Sequence, residues 1–157
     1  NLLLVRLIQT WWKMENIWHQ KQVLLKPRKR GCYIVTGEIL NVIDEIETID
    51  VGVANFFIMH TSASLTITEN TDRDVCEDLE RYMSEMVSEK FQWKHIFEGE
   101  DDMPAHVKNS IIGAHLNIPI ANGSLVLGMW QGICLWEFRN SGPARKVMIT
   151  LNGRLRT

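Results

Sequence analysis

With 157 residues, 45% of them apolar and 23% charged, the chain is sized for one domain with a substantial core, and disordered and fibrous classes are excluded. Its net charge of −2 supplies no global basic field, so nucleic acid is not expected as a main partner. The three cysteines, Cys32, Cys76 and Cys134, are odd in number and form no Cys-x-x-Cys pair, which points to free thiols in a reducing, cytoplasmic setting rather than to a disulfide framework or zinc ribbon.

Asn1 to Lys13 is apolar but is interrupted by Arg6 and falls short of the roughly 20 apolar residues of a membrane helix. We expect residues 1–13 to be an extension or leader and Met14 to open a single domain running to Thr157, with no membrane partner. Ile17 to Leu25 reads as a first strand, followed by a basic turn carrying Lys26, Arg28, Lys29 and Arg30, more in keeping with a solvated loop than with a phosphate site. Tyr33 to Val35 is a second strand, and Thr36 is placed to cap a helix in which Ile39, Leu40, Ile43 and Ile46 recur at helical spacing.

Val51 to Met59 is an apolar strand that delivers His60, Thr61, Ser62, Ser64, Thr66, Thr68, Glu69 and Asn70. That stretch is either a site held on a rigid base or a half-buried strand whose hydroxyls face water. A long helix follows, with Thr71 and Asp74 as an approximate capping box and Val75, Leu79, Tyr82, Met83, Met86 and Val87 as its apolar stripe. The acidic turn Gly99 to Pro104 feeds a shorter helix that Gly113 should stop. Four strands close the chain, at His115 to Ile120, Ser124 to Trp130, Ile133 to Phe138 and Lys146 to Leu151, so the predicted class is α+β.

His19 and His115 lie in strand contexts without polar neighbours in sequence and read as structural or exposed. His60, His95 and His106 lie near hydroxyls or carboxylates, but no His-x-x-x-His pair is present. A metal site would therefore be assembled across the fold, either from two histidines and a carboxylate or as an oxygen-rich magnesium set drawing on Asp101, Asp102 and Glu137. The start of the shorter helix, with Lys108 one turn along and Arg139 at a strand end, could hold an anion. Alternatively, Asp101 and Asp102 simply complement the helix dipole.

Three motifs are more specific: His60-Thr61-Ser62-Ala63-Ser64-Leu65 through Glu69-Asn70; Gly99 to Lys108; and Leu127 to Ile133 running into Glu137-Phe138-Arg139. Together they resemble the YjbQ-like family, in order, from Met14 to Gly153. The resemblance implies a sandwich-like α+β domain of β-sheets packed against helices, assembled as a homotrimer. It also implies a secondary thiamine-phosphate synthase activity, a transferase reaction joining hydroxymethylpyrimidine diphosphate to a thiazole phosphate, alongside a poorly defined main role. A non-catalytic binding module and a metal-dependent hydrolase are the alternatives.

By position, the resemblance assigns catalysis to His60, His106, Lys108 and Glu137. Contact with a phosphorylated small molecule falls to Thr61, Ser62, Ser64, Asn70, Trp130, Gln131 and Arg139. A divalent metal, magnesium or zinc, falls to His60, His95, His106, Asp101 and Asp102, and no organic cofactor is implied. Met129 stands where the family usually has Thr.

Overall fold

The computed structural model of the protein describes residues 16–156, so the expected leader at 1–13 and the start at Met14 lie outside the described residues. The elements, in order, are β1 (Asn16–Leu25), β2 (Arg28–Ile34), α1 (Thr36–Leu40), a 3-10 turn (Asp44–Thr48), β3 (Ile49–Ile58), β4 (Ala63–Glu69), α2 (Arg73–Met86), α3 (Asp102–Ile112), β5 (His115–Ala121), β6 (Ser124–Leu125), β7 (Gln131–Gly142) and β8 (Arg145–Leu155). They form a five-stranded sheet, β1-β8-β3-β5-β6, and a three-stranded sheet, β2-β7-β4, with antiparallel pairing throughout. The predicted α+β domain is correct.

Period-two alternation decides the layering. Inward residues of the large sheet, Leu25, Phe56, Ile58, Ile118, Val147 and Ile149, meet Ala63, Leu65, Ile133 and Leu135 of the small one in the main core. The opposite face of the small sheet offers Cys32, Cys134, Trp136 and Phe138 to α2 and α3, where Cys76, Leu79, Met83 and Ala105 cover them. β7 is thus buried on both faces from Gly132 to Phe138. Six connections carry the chain from one sheet to the other: β1 to β2, β2 to β3, β3 to β4, β4 to β5, β6 to β7, and β7 to β8.

Several sequence expectations change. The helix expected from Thr36 stops after five residues, and Thr36 is its first residue rather than its cap, its hydroxyl accepting the Ile133 N–H at 2.8 Å. Ile39, Ile43 and Ile46 are nevertheless all buried, the last within the 3-10 turn. The basic turn is largely strand: Arg28 pairs with Glu38, and Arg30 with Glu89 and Glu80, so these cations serve packing rather than a phosphate.

The capping residue of α2 is Asp72, which accepts the Asp74 N–H at 2.9 Å. Within its expected stripe, Tyr82 and Met86 are exposed and Cys76 takes an inward place. The strand expected over Ser124 to Trp130 pairs only at Ser124–Leu125. Beyond it the Val126 N–H still reaches the Pro119 carbonyl at 2.8 Å, but proline has no N–H to return. Cys32 and Cys134, on neighbouring strands with Cα atoms 6.3 Å apart, are disulfide-bonded, which overturns the expectation of three free thiols and the compartment argument built on it. Cys76 is the free one among the described residues.

Candidate functional site

The crossings from β3 to β4 and from β7 to β8 lie together at one end of the sandwich, because Ala63 pairs with Glu137 in the register of β4 on β7. β7 alternates Ile133, Leu135 and Glu137 toward the large sheet, so a carboxylate is carried into the space between the layers. Arg145, the first residue of β8, meets it there. Its Nε and Nη2 donate to the two Glu137 oxygens at 2.6 Å each, a bidentate pair that is 1% exposed or less on both sides. Arg145 Nη2 also reaches Ser62 Oγ at 3.5 Å, while Nη1, although buried, has no acceptor among the described residues.

Ser62 links this pair to His60. The Ser62 N–H donates to His60 Nδ1 at 3.1 Å, and Ser62 Oγ is 3.0 Å from the same nitrogen. In the neutral ring Nδ1 is then the acceptor and Nε2 carries the proton. Burial pushes the His60 pKa down, and the Arg145 cation pushes it further the same way. His60 is therefore expected to titrate below the ordinary value of about 6.5. Because its folded pKa is depressed, its contribution to stability is present above pH about 6.5 and is lost as the pH falls through the folded value. An NMR titration of the ring protons in chelator-treated protein measures the shift, and a midpoint at or above the unfolded value would overturn it.

A second group forms along the start of α3. Asp102 and His106 are one turn apart on the same face, and His95 arrives from the preceding loop. His95 Nε2 lies 2.9 Å and His106 Nε2 3.2 Å from the same Asp102 oxygen, Oδ2, with the two rings 5.6 Å apart. His106 Nδ1 sits 2.9 Å from the Thr61 carbonyl, which can only accept, so Nδ1 carries the proton and the Nε2 lone pair of a neutral ring faces the carboxylate. Two ring nitrogens and a buried carboxylate oxygen crowd one point, an arrangement that a cation between them satisfies.

Arg139 clamps the other side. It pairs with Asp102 Oδ1, and its Nε contacts Asp101 Oδ2 at 3.1 Å while a third nitrogen donates to the Glu98 carbonyl at 2.6 Å. Burial alone would raise the Asp101 carboxyl, but the Asn140 N–H at 2.7 Å and the Arg139 guanidinium outweigh it and hold the group below the usual carboxylate range. The donors that could hold a metal are therefore His95, His106 and Asp102, with Arg139 and Asp101 fixing Asp102 from behind. Two imidazoles and one carboxylate suit zinc or a similar transition ion better than magnesium, which prefers oxygen.

Among the sequence-expected residues, Thr61, Ser62 and Ser64 join this end. Ser62 and Ser64 are fully buried, and Asn109 Nδ2 ties Ser64 Oγ to α3 at 3.1 Å. Glu137 is committed to Arg145, and Asp101 to Arg139 and Asn140, so neither carboxylate stands in the group of His95, Asp102 and His106. Lys108 is turned to the other side of α3. It is buried, donates to Ser84 Oγ on α2 at 2.9 Å and lies over the Phe138 ring, and burial and then Arg30 push its pKa down.

Trp130 and Gln131 line a separate depression with Glu69 and Thr71, and Asn70 donates to the Gln131 carbonyl at 3.2 Å. They lie about six residues along β4 and β7 from Ala63 and Glu137, roughly 20 Å at strand rise, so one chain does not bring them to the histidines. The residue missed from sequence is Arg145. The alternation of Val147, Ile149 and Leu151 extended back by one step places it on the buried face. Likewise, the i, i+4 pair Asp102 and His106 was a readable ligand spacing once carboxylates are counted beside histidines.

Two antiparallel sheets backed by helices on one side, with a histidine and carboxylate group where the chain crosses between layers, define a small α+β protein with a candidate metal centre. The chain belongs to the family described as UPF0047 protein YjbQ-like, whose profile matches residues 21–154. It is 40% identical over 137 residues to the UPF0047 protein YjbQ of Escherichia coli O157:H7, covering 87% of this chain and 99% of that one. It is 36% identical over 126 residues to the UPF0047 protein YugU of Bacillus subtilis, covering 78% and 90%.

Among solved structures, an uncharacterised YjbQ/UPF0047 family protein of Clostridium acetobutylicum superposes with a TM-score of 0.68 at 32% identity, covering 86% of this chain and 98% of that one. A YjbQ-like protein of unknown function from Sulfolobus solfataricus reaches a TM-score of 0.74 over 89% and 99%, and at 23% identity it speaks for the fold alone. The family resemblance read from the three motifs is therefore correct. No helix among the described residues is long and apolar enough to cross a membrane.

Proposed function

We propose that the protein binds a transition-type divalent metal through His95, Asp102 and His106 and uses it on a phosphorylated small molecule, with thiamine-phosphate formation as the reaction to be tested. The observation that carries this reading is the convergence of two ring nitrogens and a buried carboxylate oxygen within 4.8 Å of one another, with Arg139 already holding the second carboxylate oxygen. A bound metal would neutralise charge developing on a departing diphosphate. The chain's own residues orient the rest. Thr61 sets the His106 tautomer, Arg139 fixes Asp102, and His60 presents a protonated Nε2 that can donate to a substrate oxygen.

Assembly as a homotrimer is part of the proposal. The outer face of the large sheet leaves Trp18, Leu24, Val53 and Phe57 exposed among polar residues, apolar side chains of the kind that subunit contacts cover. A neighbouring copy could also bring a Trp130 and Gln131 to the histidines, which one chain alone does not do. Lys108, held against Ser84, is given no part in the chemistry.

The test uses protein purified without a histidine tag, with its metal content measured and its mass in solution determined by light scattering. Thiamine phosphate is followed from hydroxymethylpyrimidine diphosphate and thiazole phosphate, beside release of phosphate from a simple ester. The expected result is bound zinc, a trimer mass and product formation that falls at least tenfold in His60→Ala and Asp102→Ala. Zinc bound without turnover in either assay would leave a binding module, and ester cleavage alone would make it a hydrolase. Equal rates in both variants and wild type would remove the site.

A further inference from the structure

We infer that Cys32, Cys76 and Cys134, once the Cys32–Cys134 disulfide is reduced, form a second metal site, a three-sulfur site for a thiophilic cation such as zinc, cadmium or cuprous copper. The three come from β2, α2 and β7, 102 residues apart at the widest, and their sulfurs lie within 4.8 Å of one another. Three thiolates around one ion at about 2.3 Å stand about 4 Å apart, so a small adjustment closes the set. All three side chains are buried, against Ala105, Trp136 and Phe138, apolar neighbours that favour soft sulfur ligation.

A route inward exists. A cavity of ≈ 540 Å³ is lined by Cys32 and Cys76 together with Gly31, Tyr33, Asn70 and Glu80. Of the charged residues that line this cavity, Arg30 is already paired with Glu80 and Glu89. This group lies on the helix side of the small sheet and shares no residue with His95, Asp102 and His106.

Disulfide exchange is the competing use of a third cysteine beside a disulfide. It requires the Cys76 thiolate, and burial pushes that thiol above its usual range, leaving it a poor nucleophile at neutral pH. A metal ion displaces the proton instead, which is the chemistry a buried thiol set retains. The balance is simple. A dithiol reductant gives two electrons and two protons to the Cys32–Cys134 bond and becomes a cyclic disulfide, leaving three thiols. Metal binding then releases their three protons to solvent. Oxidation of the pair closes the site, so metal occupancy follows the thiol redox state.

The experiment uses the full chain, reduced with a dithiol, freed of it by gel filtration under nitrogen and titrated with cadmium. The readout is the ultraviolet thiolate-to-cadmium charge-transfer band, which ligation by histidine and carboxylate does not produce. Thiol counting with a chromogenic disulfide reagent should give one thiol in the denatured oxidised protein and three after reduction. The expected result is a band saturating at one cadmium per chain in reduced wild type, absent from the oxidised protein and lost in Cys76→Ser and Cys76→Ala, with folding of each checked by circular dichroism. Absence of the band from reduced, folded protein with three titratable thiols would overturn the proposal. So would a band of undiminished intensity in either folded Cys76 variant.

Discussion

Replacing Glu137 by alanine is expected to lower the unfolding free energy by about 3–5 kcal/mol, because it strands the Arg145 guanidinium in a space where both partners are 1% exposed or less. Arg145 Nη1 already lacks an acceptor, so the cation has little else to turn to. The double replacement Glu137→Leu with Arg145→Met should recover most of that loss, since removing both charges removes the desolvation cost along with the attraction. For scale, Arg73→Ala, which breaks an exposed i, i+4 pair with Glu77, should change stability by about 0–1 kcal/mol. Urea unfolding followed by tryptophan fluorescence measures all three. A single-variant loss under about 1 kcal/mol would show that the pair does not hold the crossing together.

The second large effect concerns Asp102. Asp102→Ala removes the oxygen that His95 and His106 share, and zinc affinity should fall by more than about 100-fold, beyond the roughly 10- to 100-fold expected of an outer residue such as Arg139 in Arg139→Gln. Linkage gives an independent reading. Zinc at about 100 times the wild-type dissociation constant should stabilise wild type by about 2.7 kcal/mol and Asp102→Ala by less than about 0.4 kcal/mol. The fold should survive the change, since Arg139 keeps Asp101 and the Glu98 carbonyl. Competition with a chromophoric chelator and a thermal melt with and without zinc measure the two quantities. Equal zinc affinity in wild type and Asp102→Ala would remove these residues as the metal centre.

Much of the architecture was legible because it is written in periods. Alternation in Val147, Ile149 and Leu151 reports a sheet with one buried face, and that is where these side chains lie. The same rule failed at Ser124 to Trp130, where a missing N–H on Pro119 ends the ladder, a fact of pairing rather than pattern. Helical spacing finds α2 and its inward Leu79, Met83 and Val87, but it includes the exposed Tyr82 and Met86 and leaves out Cys76, which packs as a small apolar residue.

The site was legible by halves. His60, His95, Asp102 and His106 could be named, but their meeting point depends on where the chain changes sheets, which no local spacing encodes. Asp101 and Glu137 were misjudged for one physical reason: a carboxylate reads as a free ligand until its arginine is found. Both partners, Arg139 and Arg145, are revealed by the fold. Lys108 shows the converse, since a lysine one turn into a helix points wherever its position on the helix directs it, here to Ser84.

β7 belongs to two cores at once, with Ile133, Leu135 and Glu137 on one side and Cys134, Trp136 and Phe138 on the other. Adding or deleting one residue within it would exchange the two sets, driving a carboxylate into the apolar helix layer and an indole into the place that Arg145 needs filled by charge. Ordinary strands absorb such an event by exposing one wrong face to water. This one has no wet face to sacrifice, so its length between Gly132 and Phe138 is the part of the chain least free to vary.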